Sequence, residues 1–169
     1  MACVALLSIS FPDKSKFRVR GVKWGEGCYG TPNKAMRMAL EGMLRSYRHV
    51  VIDSPAGLEQ LNHRVTPEVD DIIDIIDPSN KAFDHVKRTR KLMDELNLAC
   101  KRFFVVGNYR FPDDWEAEAE EKTGEMYLGK IASDESLADA VLRGESLLKL
   151  PRDSAARRSA ETIFRKASY

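Results

Sequence analysis

Residues 50–61 read VVIDSPAGLEQL. A continuous apolar run, VVI at 50–52, is followed by Asp53 and, four residues later, by Gly57. An apolar run without alternation is typical of a strand buried on both faces, as in a parallel sheet covered by helices. A second such run, FFVV at 103–106, leads into Gly107 and Asn108. The two runs together predict an α/β fold, in which functional residues follow the carboxyl ends of the strands.

Other segments with apolar or β-branched character extend the predicted sheet. The predicted strands are residues 2–10, 49–53, 69–77 and 102–108, with 125–132 as a fifth. Asp70, Asp71 and Asp74 interrupt the apolar pattern of the third. Residues 11–32 are rich in glycine, lysine and aromatic side chains and are predicted to be irregular.

Amphipathic helices are predicted between these strands, since apolar residues recur there every three or four positions. Their predicted N-caps, in chain order, are Asn33, Ser79 or Asn80, Asp113 or Asp114, Ser133, and Asp153 or Ser154. Gly124 and Gly144 are predicted to end two of them. The alternation of strand and helix predicts a three-layer α/β fold with a mostly parallel sheet, in a single domain over residues 1–169.

Composition excludes several classes of protein. Lys and Arg number 27 against 26 Asp and Glu, and a near-zero net charge argues against a nucleic-acid or anionic-membrane binder. No apolar run approaches the roughly 18 residues of a membrane span. The cysteines, Cys3, Cys28 and Cys100, are odd in number and scattered, so they predict reduced thiols and a cytoplasmic location.

Asp53 and Gly57 have two interpretations. A carboxylate at the end of a buried strand can orient a Mg²⁺-bound water, and a glycine N–H can approach a γ-phosphate without a Cβ in the way. Alternatively, Asp53 caps the following turn and Gly57 permits it. Spacing alone leaves both interpretations open.

The segment also resembles a known family. Asp-x-x-Ala-Gly after a hydrophobic strand is similar to the deviant-Walker P-loop ATPases related to MinD, ParA and nitrogenase iron protein. Within them it resembles the CooC branch, which inserts nickel into carbon monoxide dehydrogenase. That branch writes D-x-x-A-G-x-E-H-x-x-R, and residues 53–64 read DSPAGLEQLNHR here. Residues 77–79 (DPS) and 105–108 (VVGN) also resemble the family.

The resemblance implies an ATP- or ADP-binding protein that uses Mg²⁺ and takes part in metallocentre assembly. By it, Asp53 would be the catalytic residue that holds the Mg²⁺ shell, Gly57 would sense the γ-phosphate, and Asn108 would bind adenine. It further implies a homodimer and a metalloenzyme client. Without the resemblance, Asn108 also suits a turn after a strand, where asparagine is common.

Cys28 lies in the sequence GEGCYG at 25–30, which resembles the G-x-G-C-x-C of the CooC branch. There, thiolates from two subunits form a metal site, and soft thiolates suit Zn²⁺ or Ni²⁺. Gly30 replaces the second cysteine. Cys28 is therefore either a metal ligand with an incomplete partner set or an ordinary loop residue.

The phosphate-binding loop of the family has no counterpart after the first predicted strand. Residues 11–16 read FPDKSK and contain no glycine, and Pro12 lacks an N–H. The chain is then either a truncated product or a naturally short relative, with weak or no ATPase activity. The alternative is a non-catalytic interaction module derived from that fold.

Two further stretches are predicted to have structural roles only. GEMYLGK at 124–130 matches the spacing G-x-x-x-x-G-K, but Ile131 follows where a hydroxyl is needed, so a helix end and a strand are predicted there. Glu116, Glu118, Glu120 and Glu121 are predicted to form a solvated helix face rather than a metal cluster.

Overall fold

The computed structural model describes residues 5–10, 16–19, 49–54, 68–97 and 99–169, and the side chains of residues 51, 70–97 and 100–169. The strands in these ranges are β1 (Ala5–Ser10), β2 (Lys16–Val19), β3 (His49–Ser54), β4 (Glu68–Ile76), β5 (Ala99–Gly107) and β6 (Met126–Lys130). The helices are α1 (Asn80–Glu95), α2 (Glu116–Thr123), α3 (Glu135–Leu142) and α4 (Ala155–Lys166), with a 3-10 turn at Leu147–Lys149.

The strands form one sheet in the order β2-β3-β1-β4-β5-β6. β2 is parallel to β3, whereas β1 is antiparallel to both of its neighbours, β3 and β4. Leu6 of β1 lies opposite Asp53 on one side and Ile73 on the other. The predicted α/β fold with a mostly parallel sheet is confirmed, and β1 is its antiparallel strand. A single antiparallel strand is compatible with this sheet, because β3 and β4 satisfy the backbone hydrogen bonds of β1 on both sides.

Two compact units make up the chain: residues 1–74 with 85–104, and residues 75–84 with 105–169. The single domain over residues 1–169 stays a prediction. All five predicted strands are present. The prediction of an irregular segment at 11–32 is wrong for residues 16–19, which form β2. There KFRV alternates polar and apolar residues, and pairing with β3 supplies the backbone hydrogen bonds that the short run needs.

The centre of the sheet is buried without alternation, as the apolar runs predicted. In β5, Phe103, Phe104, Val105 and Val106 are each at most 5% exposed. In β4, the buried Asp71 faces Arg102 of β5, whose guanidinium donates to both carboxylate oxygens at 2.6 Å. Asp71, which interrupts this strand in the sequence, is therefore compatible with the interior, because a buried carboxylate is tolerated when it is paired.

The helix ends follow the predicted signals with small corrections. Ser79 caps α1, since its Oγ accepts a hydrogen bond from the Ala82 N–H at 3.3 Å. Gly124 ends α2 in the left-handed conformation, with φ of 75°. Ser154 caps α4, and Gly144 follows α3 with φ of 66°.

Two predicted caps are wrong. α2 begins after Trp115, which makes no side-chain capping hydrogen bond, rather than after Asp113 or Asp114. Asp113 instead pairs with Lys130. α3 is capped by Asp134 rather than by Ser133, because the Asp134 carboxylate reaches the Leu137 N–H at 3.0 Å. The helix predicted after Asn33 lies outside the described residues.

Candidate functional site at the ends of β4, β5 and β6

The carboxyl ends of three strands lie side by side. The Asn108 N–H donates to the Ile76 carbonyl at 2.8 Å, which joins the end of β5 to the end of β4. The Ile131 N–H donates to the Gly107 carbonyl at 2.9 Å, which joins the end of β6 to the end of β5. The segments that follow these strands, residues 77–79, 108–113 and 131–134, therefore start from one sheet edge. In α/β folds this edge is where ligands bind.

Asn108 occupies a tight turn at this edge. Its backbone carbonyl accepts a hydrogen bond from the Phe111 N–H at 3.0 Å, and its side-chain Oδ1 accepts one from the Arg110 N–H at 2.9 Å. Because a backbone N–H can only donate, the side-chain atom that faces Arg110 is the oxygen. One lone pair of Oδ1 is used in this bond. The amide group has a second lone pair on this oxygen and two N–H donors on its nitrogen.

Phe111 anchors this turn in the interior. Its side chain is 1% exposed and contacts three other aromatic rings. The centroid distances are 6.2 Å to Phe83, 6.3 Å to Trp115 and 5.6 Å to Tyr127. Edge-to-face and offset contacts of this kind add to the free energy of burying the rings. The turn that carries Asn108 is thus tied to a packed aromatic cluster.

Gly107 allows Phe111 to fold back over the end of β5. A Cβ at position 107 would lie 2.6 Å from Cγ of Phe111 and 2.5 Å from the hydroxyl of Tyr127. Both distances are far below van der Waals contact, so only glycine fits without movement. This explains the glycine of VVGN by a close approach rather than by a left-handed backbone.

Tyr127 completes the cluster from β6 and is 5% exposed. Burial, together with the negative charges of Glu116 and Asp113, raises the pKa of Tyr127 to about 12. The phenol therefore stays neutral at physiological pH.

Lys130 ties β6 to the segment after β5. Its ammonium group donates to the Phe111 carbonyl at 2.7 Å and pairs with the Asp113 carboxylate at 2.6 Å. The prediction that GEMYLGK is a helix end followed by a strand is confirmed, since Gly124 caps α2 and Met126–Lys130 form β6. This lysine holds a protein carbonyl and a carboxylate.

Asp134 organises the segment after β6. One carboxylate oxygen caps α3, and the other accepts hydrogen bonds from the Ser154 hydroxyl at 2.6 Å and the Ala156 N–H at 3.0 Å. The N-termini of α3 and α4 thus share one carboxylate. The hydrogen bond from Ser154, with those from the backbone, holds the pKa of Asp134 well below its usual range.

The exposed residues next to Asn108 are an aromatic and a cation. Tyr109 is 55% exposed, and the Arg110 guanidinium lies 5.6 Å from its ring centroid. The Arg110 Nε–H also donates to the Tyr109 hydroxyl at 3.3 Å. This pair forms the solvent side of the turn.

Of the other predicted site residues, Asp53 lies in the described part of the chain. Asp53 is the penultimate residue of β3, and its backbone lies opposite Leu6. Gly57 and Cys28 lie outside the described residues. Their proposed roles, and that of Asn108, stay predictions.

Two of the acidic side chains of α2 form ion pairs. Glu118 pairs with Lys122 at 2.8 Å, and Glu116 with Lys166 at 3.7 Å. In the described ranges, no three His, Cys, Asp or Glu side chains converge to hold a metal ion. Nor does any helix of those ranges have the length and apolar character that a membrane crossing requires.

Sequence reasoning missed three residues of this site: Phe111, Tyr127 and Lys130. Gly107 gives a local signal for Phe111, which follows four residues later, since a glycine at the end of a strand often marks the close approach of another group. The partners of Tyr127 and Lys130 lie too far along the chain for any spacing rule to find.

The chain is similar to known proteins in sequence and in fold. No protein family's sequence profile matches the chain. An uncharacterized ATP-binding protein of Methanocaldococcus jannaschii is 33% identical over 150 residues, which cover 88% of this chain and 59% of that protein.

Two solved structures are similar in fold. The MinD cell division protein of Aquifex aeolicus matches with a TM-score of 0.62 and 16% identity, over 81% of this chain and 61% of that chain. A ParA family ATPase of Chlorobium tepidum matches with a TM-score of 0.57 and 18% identity, over 78% of this chain and 55% of that chain. The chain thus spans 55–61% of the length of the relative and of these two structures.

Proposed function

Because this chain has the fold of the MinD- and ParA-type P-loop ATPases, we propose that it binds ATP and that the turn after β5 holds the adenine base. The observation that carries the proposal is the oriented side-chain amide of Asn108 at the shared edge of three strands. A side-chain amide matches adenine in a bidentate manner, because its oxygen accepts from N6 and its N–H donates to N7.

The geometry of Asn108 is suited to this role. The hydrogen bond from the Arg110 N–H sets which way the amide points, so little conformational freedom is lost when a base binds. The buried aromatic cluster around Phe111 fixes the position of the turn. These two features support the proposal that a purine binds at this edge of the sheet.

For the phosphate end, the proposal rests on the sequence. We propose that Asp53 is the catalytic residue that holds the Mg²⁺ shell and that Gly57 approaches the γ-phosphate. Residues 11–16 contain no glycine, so the sequence gives no sign of the glycine-rich phosphate loop there. We therefore expect these 169 residues to hydrolyse ATP slowly or not at all, since the cradle supplies much of the electrostatic stabilisation in phosphoryl transfer.

The test compares ATP and GTP binding by calorimetry in the wild type and in Asn108→Asp. Aspartate keeps the acceptor for the Arg110 N–H, so the turn persists, but it replaces the donor that adenine N7 needs. A bidentate amide–adenine pair is worth about 1–3 kcal/mol, so the ratio of ATP to GTP affinity is expected to fall about tenfold.

The ratio cancels the repulsion between the added charge and the phosphates, which is common to both nucleotides. Asn97→Gly is the matched control, because Asn97 is exposed in the turn after α1 and has φ of 50°, which glycine adopts freely. A wild type that binds neither nucleotide at millimolar concentration refutes the proposal, as does an unchanged ratio in Asn108→Asp.

A finer proposal concerns the process that nucleotide binding drives. We propose metallocentre assembly in the manner of the CooC branch, with Ni²⁺ or Zn²⁺ bound through Cys28 of a homodimer and a metalloenzyme as client. Its support is the likeness of residues 25–30 and 53–64 to that branch. Equilibrium dialysis with Ni²⁺ tests it: binding should be lost in Cys28→Ser and kept in Cys100→Ser.

The second candidate function is a non-catalytic interaction module. The glycine-free segment at 11–16 favours it. Thermal melting with millimolar Mg-ATP separates the candidates, since a ligand of the folded state raises the melting temperature by mass action. A rise of several degrees supports nucleotide binding, and no rise supports the interaction module.

A further inference from the structure

We propose that Lys130 is a positioning residue for the base, which determines nucleotide selectivity through its contact with the segment after β5. The inference rests on the proposed function, because it assumes that Asn108 binds the base. It concerns a lysine whose only sequence signal, the spacing G-x-x-x-x-G-K, leads to a different role from the one its contacts indicate.

The contacts form a short chain from Lys130 to Asn108. The Lys130 ammonium donates to the Phe111 carbonyl at 2.7 Å, and the Phe111 N–H donates to the Asn108 carbonyl at 3.0 Å. The same ammonium pairs with the Asp113 carboxylate at 2.6 Å. The Lys130 side chain is 25% exposed, whereas that of Asp113 is 90% exposed. Solvent therefore screens the ion pair, and the hydrogen bond to the Phe111 carbonyl is the contact that holds the turn.

The packing of the rings fixes the position of the turn, and the ammonium group of Lys130 fixes its direction. The aromatic cluster around Phe111 fixes where the middle of the turn lies, but ring contacts are weakly directional. The hydrogen bond from Lys130 is directional and charge-assisted, and it fixes the peptide that leaves the turn. Loss of the ammonium should therefore leave the fold intact while it loosens the direction in which the Asn108 amide points.

The experiment measures ATP and GTP affinities and melting temperature in Lys130→Met, Lys130→Arg and the control Lys101→Met. Lys101 also pairs with an aspartate, Asp70, but its side chain is 78% exposed. Lys130→Met should lower the ratio of ATP to GTP affinity several-fold, and Lys130→Arg, which can still donate to the carbonyl, should restore it. Lys101→Met should leave the ratio unchanged.

The fluorescence of Trp115 provides a readout that does not depend on nucleotide. In a Trp24→Phe background Trp115 is the only tryptophan, and it contacts Phe111. Its emission should shift in Lys130→Met and return in Lys130→Arg. If Lys130→Met does not fold, Lys130→Gln replaces it, because its shorter neutral head can be solvated but cannot hold both partners.

The outcomes separate this inference from the proposed function. An equal loss of ATP and GTP affinity would mean that Lys130 acts by charge alone and overturns the inference. A selective wild type with an equally selective Lys130→Met overturns the inference and leaves the proposed function standing. A wild type that binds neither nucleotide overturns both.

Discussion

Replacement of Gly107 by alanine tests the packing that holds the candidate site. The added Cβ would lie 2.6 Å and 2.8 Å from Cγ and Cβ of Phe111 and 2.5 Å from the hydroxyl of Tyr127. Phe111 is 1% exposed and is enclosed by other rings, so it has no free space to enter. Overpacking of a core costs about 1–3 kcal/mol, and three contacts this short place Gly107→Ala near the upper end, at about 2–3 kcal/mol.

The assay is thermal unfolding followed by circular dichroism. One kcal/mol corresponds to about 2–4 °C in a chain of this size, so the melting temperature of Gly107→Ala should fall by about 4–12 °C. The displaced Phe111 also carries the turn of Asn108 with it. We therefore expect the variant to lose selectivity between ATP and GTP as well.

Gly144→Ala is the matched control. Gly144 has φ of 66° and nothing within 4 Å of an added Cβ, so its alanine variant carries a backbone penalty of about 1 kcal/mol but no clash. Gly107 has no such left-handed φ, and its penalty is steric. If Gly107→Ala melts within about 1 °C of the wild type, Phe111 does not pack over the end of β5 and the reasoning fails.

Two further predictions concern buried polar groups. Arg102→Met removes the partner of the buried Asp71 carboxylate. Because Arg102 is itself half-exposed, we expect the free energy of unfolding in urea to fall by about 2 kcal/mol, which is below the full cost of breaking a buried pair. Lys101→Met, at an exposed pair, should lower it by less than about 0.5 kcal/mol, and equal losses in the two variants would contradict the importance of the Arg102–Asp71 pair. The pKa of Tyr127 is raised from 10 to about 12, so the folded state holds its proton more tightly, and stability from this group is full below pH 10 and falls by about 2 kcal/mol as pH rises to 12. Tyr127→Phe should flatten that part of the pH profile, and a slope equal to that of the wild type would show that the phenol is not buried.

The elements that the sequence predicted well are those with local signals. The runs at 50–52 and 103–106 lie in β3 and β5, because a short unbroken apolar run is best buried in a strand that is covered on both faces. Ser79 and Ser154 cap helices because a hydroxyl satisfies the N–H groups of the first turn wherever the helix lies. The position of Asn108 directly after a buried strand was visible in the same way.

The errors and omissions concern residues whose partners are distant in sequence. Asp113 has the chemistry of a helix cap, but the ammonium of Lys130 competes for its carboxylate, and α2 begins without it. Asp134 caps α3 locally, yet its second oxygen is bound to Ser154 and to the start of α4. No local sequence pattern predicts such competition, because the partner's own segment carries no signal of the distant contact.

The amino-acid sequence by itself determined five of the strands, most helix ends and the residue that follows each of those strands, because these depend on apolar runs and on capping within a few positions, whereas β2 was missed. Only the tertiary structure decided that the ends of β4, β5 and β6 adjoin, and that Phe111 and Lys130 hold the turn of Asn108. The physical reason is that a strand leaves its backbone groups unpaired within its own segment. Which distant strand satisfies them is chosen by the burial of the whole sheet, and the geometry of the site follows from that choice.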